Sequence, residues 1–124
     1  MKRIVTLLLM ISTMLIMTSN VYAGEFGGSG TDKNGNPSWR YFDETGMVKN
    51  KWVQNHEGSW YYCGEDGFLL KSTWLHDLSD GKYYYLGDDW IMLRDTKTPD
   101  GYTVGSDGAW IKDGQVVVET VVNN

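Results

Sequence analysis

Two histidines, one cysteine and sixteen carboxylates are the residues of this 124-residue chain that could do acid–base, nucleophilic or metal chemistry. His56-Glu57 is not followed by a second histidine four residues after the first, so the zinc-protease spacing is missing. Cys63 has no histidine close in sequence to take its proton. The acidic residues gather at Glu65-Asp66, Asp88-Asp89 and Asp107, where turn formation accounts for them. A glycosidase needs two carboxylates at a set separation, which spacing along the chain does not define. Asp32-Lys33-Asn34-Gly35-Asn36 has the oxygen content of a calcium loop but lacks its glycine position and distal glutamate. With no constellation of nucleophile, base and orienter, the expectation is a chain that is not an enzyme and uses no cofactor or metal.

The other residues with something to offer are aromatic. Gly58 to Gly67 reads GSWYYCGEDG: three adjacent rings, then a turn bounded by glycines. Aromatics suit a pleated, half-buried surface. Alternation sends Trp60 and Tyr62 to one face and Tyr61 and Cys63 to the other, so both faces need cover. The stretch also recurs. Trp39-Arg40-Tyr41-Phe42-Asp43-Glu44-Thr45-Gly46 precedes it by 21 positions, matching at both Trp39/Trp60 and Gly46/Gly67. A third copy starts at Tyr83-Tyr84-Tyr85-Leu86 and has Trp90 at the turn glycine; a fourth, shorter one spans Gly101 to Ile111.

Each unit reads as aromatic strand, glycine or aspartate turn, and apolar strand, a β-hairpin of about 20 residues with its connection. One hairpin is marginal in water, but stacked hairpins cover one another. The expected class is all-β, a solenoid of stacked hairpins over 39–114, three full units and a short terminal one. Cys63 stands where other units place Phe42 and Leu86, and packs as a small hydrophobe; an intermolecular bridge is the alternative for a lone secreted thiol. Residues 24–38 are rich in Gly, Ser and Asn and read as a flexible linker. Residues 115–124 contain a β-branched run that makes a last covering strand or a tail.

Residues 1–23 have the three-part pattern of a secretory signal peptide: Met1-Lys2-Arg3, an apolar run from Ile4 to Met17, and small or aliphatic residues before a cut after Ala23. The mature chain then has room for one small domain. Loss of Lys2 and Arg3 takes the formal charge from −5 to −7. That balance gives no footprint for nucleic acid, and the expected location is secreted, with no membrane contact after cleavage.

The pattern W-x-Y-F-x-x-x-G-x-x-x-x-x-W resembles the cell-wall-binding, or choline-binding, repeat of Gram-positive bacteria, related to glucan-binding and clostridial toxin repeats. The resemblance runs from Trp39 to about Ile111 and includes the ending Thr98-Pro99-Asp100-Gly101-Tyr102-Thr103-Val104. It implies a left-handed spiral of hairpins with ligand sites between neighbours. In choline-binding members, rings from adjacent repeats cage a quaternary ammonium, which has no N–H donors and is held by the negative ring faces. Matched to this sequence, the connector tryptophans are Trp52 and Trp74, and the strand-start rings are Trp39, Trp60 and Tyr83. One expected cage is Trp39, Trp52 and Trp60; a second is Trp60 or Tyr83 with Trp74. Lys51 and Thr73 stand where glycine usually precedes the connector tryptophan. Lys51 would oppose a cation beside Trp52, and stacking on a sugar ring is the other ligand mode. The implied partner is choline of wall teichoic acid or a wall polysaccharide, reached by a secreted, wall-associated module. The alternative is a structural or interaction protein that self-associates through its hairpin edges, or binds a host protein or glycan.

Overall fold

The computed structural model describes residues 24–121. The expected signal peptide lies outside the described residues. Among them the regular structure is entirely strand: β1 (Glu25–Thr31), β2 (Pro37–Asp43), β3 (Gly46–Met47), β4 (Lys51–Gln54), β5 (Trp60–Cys63), β6 (Thr73–Asp77), β7 (Lys82–Leu86), β8 (Thr96–Lys97), β9 (Thr103–Val104), β10 (Trp110–Lys112) and β11 (Gln115–Val116). They form antiparallel groups in the orders β1-β2-β3, β4-β5, β6-β7 and β11-β10-β9-β8.

The hairpins differ from the sequence expectation in one respect. The longer ladders do not cross the glycine turn. They join each connector strand to the aromatic strand after it, as in Trp52↔Tyr62 and Trp74↔Tyr85. Across the glycine turns pairing shrinks to Phe42↔Met47 with Asp43↔Gly46, and to single bridges at Cys63↔Leu69 and Leu86↔Met92. The apolar segment after each turn divides its amide bonds instead. Leu70 N–H donates to Tyr62 O in its own unit, while Leu69 N–H donates to Trp39 O in the unit before, both at 2.9 Å. The third unit repeats this: Leu93 N–H meets Tyr85 O at 2.9 Å, and Met92 N–H meets Trp60 O at 2.8 Å. These short segments stitch successive units together.

A second correction concerns residues 24–38. The glycine-rich stretch expected to be a flexible linker contains β1, paired with β2 from Glu25↔Phe42 to Thr31↔Pro37 across an irregularity between Gly27 and Gly30. Glycine here serves close approach: a Cβ on Gly24 would lie 2.3 Å from the Tyr41 ring. The pair Phe26↔Tyr41 occupies the place of Trp52↔Tyr62 and Trp74↔Tyr85. The repeating structure therefore begins at β1, one strand before Trp39.

Two cores answer the demand that both faces of β5 be covered. Tyr61 and Cys63 pack with Tyr41, Val48, Val53 and Leu69; on the opposite face Tyr62 packs with Tyr84, Leu86, Met92 and Ala109. Cys63 is fully buried and unbridged, and burial pushes its thiol pKa up to about 12. Left-handed backbone recurs at the turns, with φ 83° at Gly67 and 86° at Gly108. Trp90 takes the same turn position at φ 67°, a conformation that costs an L-residue about 1–2 kcal/mol. Its ring packs against the first core and lies under the Lys71 ammonium, 4.9 Å from the centroid. The connectors repeat a second left-handed position at Asn50, Ser72 and Asp95 (φ 52°, 50° and 52°). The backbone demand thus falls one residue before Lys51 and Thr73.

At the C-terminal end β11 pairs through Ile111↔Val116 and Lys112↔Gln115. Val118 then bridges to Lys82 in β7, so the expected last strand has two residues and a continuation that crosses to another hairpin.

Candidate functional site

Three clefts lie between successive units, and their walls correspond position by position. The first, about 370 Å³, is lined by Phe26, Trp39, Tyr61, Leu69, Asp89 and Trp90. The second, about 250 Å³, has Trp52, Trp60, Tyr84 and Met92 with Asp77, Asp80 and Asp107. The third, about 360 Å³, has Trp74, Tyr83, Tyr102 and Trp110 with Asp100. In each, a connector ring and a strand-start ring come from one hairpin, and a further ring comes from the next. The connector ring meets that further ring edge-on: Phe26–Tyr61 at 4.7 Å, Trp52–Tyr84 at 5.2 Å and Trp74–Tyr102 at 5.8 Å.

The backbone stitches explain the arrangement. Leu69 and Met92 enter the first and second clefts because their amides are bonded to the strand-start residues Trp39 and Trp60. In the third cleft Trp110 takes the corresponding place, edge-on to Tyr83 at 5.7 Å.

Trp52 and Trp60 are brought together as expected, with centroids 6.4 Å apart and planes at 89°. Trp39 is not with them; it lies in the first cleft, 44% exposed. Trp74 is joined by Tyr83 and not by Trp60. Separation follows from the stitching, which leaves each strand-start ring beside the connector ring before it and closes the cleft with the next unit, away from the connector that follows. Phe26, Tyr61, Tyr84, Met92, Tyr102 and Trp110 were missed by the sequence reading. A signal existed for part of this set: Tyr61 and Tyr84 each follow a strand-start ring by one residue, on the face that needed cover.

The connector indoles of the tryptophan clefts have their N–H groups tied back. Trp52 Nε1–H donates to Asp77 Oδ2 at 2.9 Å, and Trp74 Nε1–H donates to Asp100 Oδ2 at 2.8 Å. Asp77 and Asp100 follow Trp74 and Lys97 by three residues, and Asn55 follows Trp52 by the same step. Asn55 serves the first cleft, where the connector ring is Phe26 and has no N–H to bind; it donates to Tyr61 Oη at 3.3 Å instead. Where an indole must be held the residue is a carboxylate, and where none must be held it is an amide. Burial works to raise the Asp77 pKa, but bonds from Ser79 and Trp52 outweigh it and hold the carboxyl below its ordinary range. Bonds from Thr98 and then Trp74 lower Asp100 likewise. Tyr84 Oη donates to Asp80 Oδ2 at 2.6 Å, and burial with that carboxylate raises the phenol pKa. Asp107 lies 3.8 Å from Lys82 Nζ.

With their N–H groups engaged, Trp52 and Trp74 add apolar rings, whose faces carry negative potential, to clefts flanked by carboxylates. Such a surface attracts a cation that has no donors of its own, because the carboxylates supply potential without needing contact.

Residues 70–110 match the choline-binding repeat family. The choline-binding domain of Spr1274 from Streptococcus pneumoniae has a similar structure, with 29% identity and a TM-score of 0.53 over 68% of this chain and 94% of that domain. The pneumococcal cell-wall endolysin of phage Cp-1, solved with choline, matches at 29% identity and a TM-score of 0.53. That match covers 73% of this chain but 25% of the endolysin, so the chain spans about a quarter of that protein's length. No curated protein sequence matches the chain. The resemblance to the choline-binding repeat family therefore holds in sequence over residues 70–110 and in fold over 68% of the chain.

Proposed function

We propose that this chain is a secreted, non-catalytic wall-binding module, a solenoid of hairpins that captures choline of teichoic acid in its second and third clefts. The observation that carries the reading is the pairing of Trp52 with Asp77 and of Trp74 with Asp100. In both clefts the connector indole's donor is engaged and its negatively charged partner is retained, which suits a quaternary ammonium. Ring capture contributes about 0.5–2 kcal/mol per well-placed face, so several rings are needed for useful affinity. Wall polysaccharide is the second reading. It is favoured at the first cleft, where Lys71 already supplies a cation to the Trp90 ring and Trp39 is open for stacking.

A tryptophan-fluorescence titration with choline, run beside its uncharged tert-butyl isostere, tests this. Saturation by choline alone is expected, with one class of site lost in Trp52→Ala and another in Trp74→Ala. Equal response to the uncharged isostere would show that charge is not what the clefts select. A flat response to both moves the weight to polysaccharide.

A further inference from the structure

The chain continues past β11 onto a different hairpin. Val117 N–H donates to Trp110 O at 3.0 Å, Val118 pairs with Lys82, and Glu119 N–H donates to Gly81 O at 2.8 Å. Glu119 then makes two further contacts. Its Oε2 accepts from Tyr83 Oη at 2.8 Å, and its carbonyl accepts from His76 Nε2 at 2.8 Å. Because Gly81 O is also an acceptor 3.3 Å from His76 Nε2, that nitrogen carries the proton. The His76 ring lies flat against Tyr83, with centroids 4.2 Å apart and planes 6° from parallel. His76 and Tyr83 face each other across β6 and β7. Tyr83 is therefore held at its hydroxyl by one residue and along its face by another, and both holds pass through Glu119.

We propose that Glu119 is a positioning residue for the third cleft: the C-terminal segment acts as a strap that fixes the Tyr83 ring against Trp110, so cation affinity there depends on a residue that does not line the cleft. The proposal rests on the cation reading of that cleft. The physical need is plain. Tyr83 stands where the second cleft has Trp60, and it is only partly covered. A half-exposed phenol must otherwise be ordered by the ligand itself, and ordering one side chain in advance is worth about two- to tenfold in affinity.

The test follows the indole N–H signals of the full chain by NMR during a choline titration. Trp74 and Trp110 report the third cleft; Trp52 and Trp60 report the second. In Glu119→Ala, half-saturation of Trp74 and Trp110 should rise about two- to tenfold, with Trp52 and Trp60 unchanged. Glu119→Gln keeps an oxygen for the Tyr83 hydroxyl and should bind almost as the parent does. Tyr83→Phe should reproduce the loss, and adding Glu119→Ala to it should change little more. Equal weakening in both clefts, no change in the third, or a Gln variant as poor as Ala overturns the proposal. If the parent chain itself gives no choline response at Trp74 and Trp110, the cation reading has failed. The ligand-free Tyr83 ring signals then decide on the strap: displaced in Glu119→Ala they support it, and unmoved they refute it.

Discussion

Replacing Asp77 separates holding a turn from holding a ring. Asp77 Oδ1 accepts from Ser79 N at 2.9 Å and from Ser79 Oγ at 2.6 Å, while Oδ2 accepts from Trp52 Nε1. A side-chain bond that closes a turn is worth about 1 kcal/mol. A bond from indole to a carboxylate is worth about 1.5–3 kcal/mol when shielded, and the partial exposure here places it at the low end. Asp77→Ala should therefore cost about 2–3 kcal/mol and leave a part-buried indole N–H unpaired. With a urea slope of about 1 kcal/mol/M, the unfolding midpoint at pH 7 should fall by about 2–3 M. Asp77→Asn keeps the turn, as Asn55 does at the same step by accepting from Glu57 N and Ser59 N. It should cost about 1.5 kcal/mol, less than Ala, because its one oxygen stays with the turn and its NH2 group faces the indole N–H, which loses its acceptor. Choline affinity should drop in the second cleft and hold in the third for both variants. Should Asn prove as damaging as Ala, or Ala leave both the midpoint and the Trp52 N–H signal unmoved, the division of labour assigned to Asp77 is wrong.

Acid should weaken the fold through the same groups. Asp32, Asp43, Asp77 and Asp100 all have folded-state pKa values below their ordinary range. Their stabilisation is complete above about pH 4 and is lost as pH falls through the folded values, which a series of urea midpoints from pH 6 to 2.5 would trace. Cys63, fully buried with its thiol pKa at about 12, should resist a thiol reagent at pH 8 until urea unfolds the chain. Gly108→Ala puts a Cβ 2.6 Å from Met92 Sδ at φ 86°, and should cost about 1–2 kcal/mol by calorimetry while weakening the second cleft through Met92. Deleting residues 24–31 uncovers Tyr41, whose ring Phe26 meets edge-on at 4.9 Å, and should lower the Tm by at least about 5 °C; an unchanged Tm would restore the linker reading.

The strands and the repeat were legible because the period is carried by large residues at fixed places. Trp39, Trp60 and Tyr83 mark strand starts, and Gly46 and Gly67 mark turns. The ladder partners were not legible. Glycine turns advertise a hairpin, but only the three-dimensional path shows that Leu69 and Met92 spend their amides on the preceding unit. That offset also separated Trp39 from Trp52. β1 was hidden for a different reason: Gly24, Gly28 and Gly30 leave room for Tyr41, Arg40 and Phe68, and composition cannot tell such glycines from flexible ones. Glu119 was out of reach altogether, since its bond to Tyr83 spans 36 residues with no periodic signal.

Each cleft draws two rings from one hairpin and its closing ring from the next. The unit of duplication is therefore not the unit of recognition. Adding one repeat adds one site, yet cutting the array between repeats always leaves an unfinished half-site at the new end. A ligand bound across the joint also belongs to the joint. At a hundred times its dissociation constant it adds about 2.7 kcal/mol to the contact between neighbours. Nearest-neighbour terms govern the cooperativity of stacked repeats, so solute concentration becomes a stiffness setting. On the proposed reading, a surface crowded with ligand would tighten the array at every occupied joint, and resistance to proteases should rise with ligand concentration.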